Sequence, residues 1–349
     1  DGRVWNLTTG TFTKSLAGEI FPLRDFPPGY QDSLGLFIQD ETAIGRLTLV
    51  PGLRYDSIRL NAEPDSLTFQ HAGRPPVDKD ESAFSPKLAA RWQLTPATSL
   101  WGQVARGFRA PNYEEVNGSF RNIVQAYAVV PNPDLEPETS TGAEVGVKYA
   151  SGSVQAQIAA FDNRYQDFIE QKKLVCPGDA SCISGFTTYQ SVNIDEVRIY
   201  GVELRGSWTF APGWKTVGAI AFAHGDNETD KQPLNSMEPT RATLALARDA
   251  GAWGAETRVN AAAGVERVDN TQLSSGEWFK PDSWTTVDVS AWRRLAKNAR
   301  INLAVNNLFD QKYWLWGDVR LAGLRTIDAG PEFYTQPGRN FAASIQADF

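Results

Sequence analysis

The sequence predicts an all-β fold, a transmembrane antiparallel β-barrel. Three observations carry the prediction: a side-chain period of two, a strict alternation of short and long links, and aromatics that recur beside turns. The period is plainest in FAASIQADF (341–349). Phe341, Ala343, Ile345, Ala347 and Phe349 form one face there, against Ser344, Gln346 and Asp348. VELRGSWTF sets Val202, Leu204, Trp208 and Phe210 against Glu203, Arg205, Ser207 and Thr209. TVDVSAW and INLAVNN repeat the pattern, with Asp288 between Val287 and Val289 and with Asn302 between Ile301 and Leu303.

In chain order, strands are expected at 30–41, 46–61, 83–94, 99–109, 140–150, 153–170, 196–210, 214–224, 240–248, 253–268, 283–294, 299–314 and 340–349. The links at 42–45, 94–99, 149–153, 210–214, 248–254 and 293–299 are short. Those near 62–82, 110–139, 171–195, 225–239, 269–282 and 315–339 are long and polar. A soluble sandwich has no reason to alternate in this way. A membrane barrel does, because its periplasmic turns are tight and its extracellular loops long. Several strands exceed the ~10 residues that cross a bilayer, so they should project beyond it on the long-loop side. Trp92 and Trp101 flank one short turn, Trp208 and Trp214 another, Trp292 stands at a third, and Tyr313 and Trp314 end near a long loop. Interfacial girdles place aromatics in this way; core packing in a sandwich is the other reading.

Bulk properties narrow the partners. A net charge of −7 offers no basic footprint for nucleic acid. No run of 18 apolar residues marks a transmembrane helix. DGRVWNLTTG has neither the charged start nor the apolar centre of a signal peptide. The two cysteines, Cys176 and Cys182, bracket PGDAS and read as a small loop closed by a disulfide, which points away from the cytosol. No activated serine, paired carboxylates with a base or glycine-rich phosphate loop suggests an enzyme. Thirteen is an odd number, and an open sheet in lipid would leave costly unpaired edges. The chain, 1–349, is therefore expected to be the C-terminal portion of one barrel domain, with further strands before residue 1.

Longer phrases carry a resemblance. SLGLFIQDE (33–41), SPKLAARWQLTPATSLWGQVARGFRAP (85–111), NPDLEPETSTGAEVGVKY (132–149), IYGVELRGSW (199–208), VNNLFDQKYW (305–314) and PGRNFAASIQADF (337–349) resemble TonB-dependent outer-membrane receptors. The resemblance implies a barrel of about 22 strands with an N-terminal plug. This chain would supply strands 10–22, without the plug. It also implies the bacterial outer membrane, with its lipid bilayer and lipopolysaccharide, and TonB, reached through the missing N-terminal part, as partners. Phe349, on a terminal alternating strand, resembles the signal read in barrel assembly.

FRAP (108–111) and NPDL (132–135) around the 110–139 loop are similar to the haem and haemoglobin receptor branch. Proline fixes φ at each loop root, so the loop leaves and rejoins the wall in a set direction. The branch implies uptake of haem, here a transported ligand, from haem itself or a host haem protein. It also implies a histidine ligand in this loop. Residues 112–131 contain none; the only histidines are His71 and His224. A tyrosine phenolate also binds ferric haem. Tyr127, in the apolar stretch AYAVV, is the preferred candidate for the iron, ahead of Tyr113 beside Glu114 and Glu115. His71 could face the same vestibule, and Arg121 and Arg109 could pair with propionates. Glu203, Arg205 and Asp288 face the interior and would line the lumen. The alternatives are a ferric-siderophore receptor of the same fold and a passive porin.

Overall fold

The computed structural model describes residues 5–6, 11–12, 27–65, 75–123, 126–271, 278–320 and 331–347. Strands β1 (Trp5–Asn6) and β2 (Thr11–Phe12) pair as a small sheet of their own. All other strands belong to a single sheet. It begins with β3 (Gly29–Gln39), continued by β4 (Thr42–Ile44), both paired with β5 (Leu47–Ala62). Next come β6 (Lys79–Gln93) and β7 (Thr98–Arg109). Two short strands, β8 (Phe120–Asn122) and β9 (Tyr127–Val130), lie within the following loop. The wall resumes with β10 (Glu138–Ser151), β11 (Val154–Lys173), β12 (Thr187–Ala211) and β13 (Trp214–Asn227). After the two-residue β14 (Gln232–Pro233) it runs through β15 (Arg241–Asp249), β16 (Trp253–Ala262), β17 (Trp284–Ala296), β18 (Ala299–Asn306) and β19 (Asn340–Ala347). Counting β3 and β4 as one, thirteen long strands form the wall, each antiparallel to the next.

Period-two alternation becomes two chemically distinct faces. Leu100, Val147, Ile158, Leu204 and Ile220 lie on one cross-strand row. Each is 36–46% exposed, although all five sit within the sheet. The adjacent row on the opposite face runs Ser99, Lys148, Gln157 and Arg205. An apolar face left open over many strands is stable in hydrocarbon and a liability in water. The buried apolar residues gather elsewhere: Val116, Ala128, Val130, Leu135, Ile194 and Val197 all lie at the long-loop end. This protein has its packed core above the wall, where the loops fold together.

The short links are two to four residues, and Gly152 (φ 47°) and Gly213 (φ 71°) supply the left-handed backbone that two of them need. Several boundaries differ from expectation; β6, for one, begins at Lys79 rather than at 83. Strand 253–268 stops at Ala262. Strand 299–314 stops at Asn306, because Asn307 (φ 51°) and Asp310 (φ 57°) turn the chain towards a helical turn at Trp316–Val319. The β11–β12 hairpin is longer than expected, running out to Lys173 and back from Thr187. The long link there shrinks to 174–186. Its added residues pair with each other above the membrane, where pairing replaces the water a polar loop would otherwise use. Phe349 lies outside the described residues.

Candidate functional site

The loop joining β7 to β10 is a folded unit bolted to its neighbours. Pro111 is fully buried and sends the chain into a helix at Tyr113–Asn117. Asn112 caps that helix reciprocally with Glu115. The Glu115 N–H donates to Asn112 Oδ1 at 2.8 Å, and the Asn112 N–H donates to Glu115 Oε2 at 2.8 Å. Glu115 also receives Arg109 Nη1 at 3.1 Å, and Arg109 Nη2 donates to Glu138 at 3.2 Å. At the helix end Asn117, almost wholly buried, accepts from the Val77 N–H and donates to its carbonyl, both at 2.9 Å.

The NPDL phrase forms the other root. Asn132 Nδ2 donates to the Ser191 carbonyl at 2.8 Å, and its Oδ1 takes the Asp134 N–H at 3.1 Å. Gln190 Nε2 donates to the Pro131 carbonyl at 2.8 Å. Asn193 clasps Glu136 with two bonds of 2.9 Å. Leu135 is fully buried beneath this lattice. The two proline phrases thus hold the loop against β12.

Between the roots, β8 and β9 form a hairpin, and β9 docks alongside β12 in parallel, Tyr127 opposite Thr187 and Val129 opposite Tyr189. Ala128, Val130, Thr188 and Gln190 face inward and are buried. The other face carries Phe120, Tyr127 and Tyr189. The Tyr127 ring lies 5.7 Å from Phe120 and 6.5 Å, edge-on, from Tyr189. Burial, and then the neighbouring Tyr127, push the Tyr189 phenol above its ordinary range. Among the described residues the Tyr127 hydroxyl makes no hydrogen bond.

The other candidates separate. Tyr113 donates its hydroxyl to the Pro28 carbonyl at 3.0 Å, and burial, with Asp78 and Glu63 nearby, raises its pKa. A Cβ on Gly29 would come within 2.4 Å of that hydroxyl, so Gly29 gives Tyr113 its seat. Arg109 is engaged by Glu115 and Glu138. Arg121, opposite Ala128 on the hairpin's other face, lies 6.0 Å from the Phe186 ring. His71 lies outside the described residues. His224 lies against Tyr200 on the wall, ring centroids 5.1 Å apart and tilted by 38°. Cys176 and Cys182 form their disulfide, with Cα atoms 5.8 Å apart, at the β11–β12 tip.

Glu203, Arg205 and Asp288 line one cavity of about 640 Å³ on the inner face. Asp288 accepts from Asn260 Nδ2 at 2.9 Å and from the Asn307 N–H at 2.8 Å. Trp284 and Tyr313, 4.5 Å apart, cover one side, and Arg241 and Thr243 add polar lining. Alternation in β15 and β16 would have assigned Arg241, Thr243 and Asn260 to this face. No pattern in the sequence announces Tyr189 as a neighbour of Tyr127, because a parallel contact between distant segments creates that pair.

An outward apolar band, a polar lumen face and loops folded over the long-loop end define an outer-membrane barrel of the receptor type. The chain belongs to the family of TonB-dependent receptor-like β-barrels, whose model matches residues 2–308. It is therefore a protein of the bacterial outer membrane. Over 286 residues it is 30% identical to the iron-regulated outer membrane virulence protein of Vibrio cholerae, covering 74% of this chain and 42% of that protein. It is 23% identical over 344 residues to hemoglobin-haptoglobin utilization protein B of Neisseria meningitidis, covering 87% of this chain and 42% of that one. The copper transporter OprC shares the fold, with a TM-score of 0.73 at 22% identity over 91% of this chain and 48% of the transporter. The chain spans about two fifths of the length of these curated relatives.

Proposed function

We propose that this chain forms the wall and apical loops of a receptor that takes up haem across the outer membrane with TonB, and that Tyr127 binds the iron. One observation carries the reading: a phenol with no hydrogen-bond partner among the described residues stands on a half-open aromatic platform fixed to β12. A hard phenolate oxygen suits ferric iron, and Phe120 and Tyr189 offer apolar rings to a porphyrin. A relative whose name records use of haemoglobin–haptoglobin supports the same ligand class. A plug, which the family resemblance implies, would supply a second ligand.

Ferric haem titrated into the purified full receptor should give a shifted Soret band and the charge-transfer bands of phenolate-bound iron. Tyr127→Phe should abolish those bands, and Tyr113→Phe should keep them. Unchanged spectra in Tyr127→Phe would refute this ligation. The second reading, a ferric-siderophore receptor, draws on the same ring platform, which suits an aromatic chelate without an iron–protein bond. It predicts tight ferric-siderophore binding that Tyr127→Phe leaves intact.

A further inference from the structure

Residues three apart on an uninterrupted strand face opposite sides of its sheet. The β11–β12 hairpin breaks that rule at one level in both strands. On β12, Val197 and Ile194 are both buried and pack in one cluster with Leu234. On β11, Tyr165 and Phe168 join the same cluster, their ring centroids 5.6 Å apart and edge-on. Below this level the odd residues of β12 face the lumen, as Glu203 and Arg205 do in the inner cavity, and Val197 continues their row. Above it the buried residues of β12 are the even ones, Ile194, Gln190 and Thr188. Asp195 and Glu196, between the two phases, are adjacent and both exposed. The two faces of the hairpin therefore exchange.

The exchange is centred on Asp167. Its backbone is left-handed, at φ 55°, a conformation that a short polar residue tolerates and a β-branched one does not. The register is the same on both sides, with Gln166 opposite Glu196 and Phe168 opposite Ile194. Both strands therefore turn over together and neither gains a residue. Asn193 fixes the turn, donating from Nδ2 to the Asp167 carbonyl at 2.7 Å as well as to Glu136. Burial, and then Glu136 and Asp195, raise the Asp167 carboxyl pKa, so its charge is disfavoured at this place. What the residue supplies is its backbone conformation.

The consequence reaches the ring platform. Tyr189 and Val197 are an even number of residues apart, so an unbroken strand would set Tyr189 on the cluster face and expose Thr188 and Gln190. After the exchange Tyr189 lies on the opposite face. β9 follows, because it pairs with β12 in register. Tyr127 comes to the side of Tyr189, and Ala128 and Val130 are buried with Thr188 and Gln190. We infer that Asp167 is a positioning residue for the haem platform: its left-handed turn puts the Tyr127 and Tyr189 rings on the open face of the hairpin instead of against Leu234 and Met237. The inference rests on the proposed Tyr127 ligation for its haem readout alone.

Two substitutions in the full receptor separate backbone from side chain, since both remove the carboxylate. Glycine takes the left-handed conformation freely, and valine is an outlier there. Asp167→Gly should keep the phenolate charge-transfer bands of bound ferric haem. Asp167→Val should weaken that binding about tenfold, the cost of holding a β-branched residue in this conformation. Nitration by tetranitromethane without haem, mapped by peptide mass spectrometry, reads the face directly. Tyr127 and Tyr189 should be modified in the wild type and in Asp167→Gly, and protected in Asp167→Val. Tyr165, packed in the cluster, should stay unmodified in the wild type. Heat-resistant migration of each variant on a gel reports a folded barrel. Equal haem binding by the two variants, loss of the wild-type bands in Asp167→Gly, or undiminished nitration of Tyr127 and Tyr189 in folded Asp167→Val would overturn the inference. A wild type without phenolate bands but with the expected nitration pattern would exclude the ligation and leave Asp167 in its role.

Discussion

Arg109 and Glu138 stand directly opposite each other at the last register pair of β7 and β10, and the same guanidinium reaches on to Glu115. One side chain thereby ties together both ends of the 110–137 loop and the helix that opens it. The pair is partly exposed, so its strength is modest, but its geometry is specific.

A lysine ammonium cannot span both carboxylates as a guanidinium fork does. Arg109→Lys is expected to loosen the 112–118 helix by about 1 kcal/mol, seen as roughly fivefold faster amide exchange there. Exchange elsewhere in the barrel wall should not change.

Asn117 satisfies both backbone groups of Val77 from a buried position. Asn117→Ala leaves the half-buried Val77 N–H and carbonyl without this partner, at about 1 kcal/mol for each. Amide exchange at 75–79 and 113–118 should rise together in this variant. Independent behaviour of the two segments would show that the side chain does not couple them.

The Cys176–Cys182 bridge closes a small loop, so its expected contribution is small, about 2 kcal/mol. The paired variant Cys176→Ser with Cys182→Ser should speed exchange across 174–190 and leave the melting of the barrel unchanged. Ile183 donates its N–H to the Thr188 hydroxyl at 3.0 Å, and Thr188 pairs with Ala128 beside Tyr127. The haem spectrum should therefore broaden in this variant without being lost.

Glu170 lies on β11 beyond the membrane, where burial raises its carboxyl pKa and Lys172 opposes that shift. The folded state then binds the proton more tightly than the unfolded state. Its cost is absent at pH below the ordinary glutamate range, grows as pH rises towards the raised value and is complete above it. After correction for intrinsic rates, exchange at the β11–β12 tip should accelerate over that window. Glu170→Gln should flatten the dependence, and an equally steep profile in the variant would exclude Glu170 as its source.

The wall was readable because period two is a local property. All thirteen long strands stand where alternation and link length place them, and Cys176 and Cys182 pair because the five turn-forming residues between them bring them together. The errors lie at strand ends in the loop zone. Asn307 stops β18 through a left-handed turn, and Thr187–Glu196 extend β12 because Lys173 and its neighbours are there to pair with them. The site was legible only in part. FRAP and NPDL marked the roots of the loop, but their partners, Ser191 and Asn193 among them, lie about 60 residues away.

By itself the sequence determined which side chains face lipid and which face the lumen, because on a strand each residue's face follows from its neighbour's; Trp101 and Trp292, read as girdle aromatics beside turns, stand on the lumen face instead. It also determined which links are tight. Only the tertiary structure decided that β9 lies parallel to β12 and that Tyr127 shares a platform with Tyr189. Those contacts depend on the registers between strands. Register is set by summed pairing over whole ladders, which no short stretch of sequence contains.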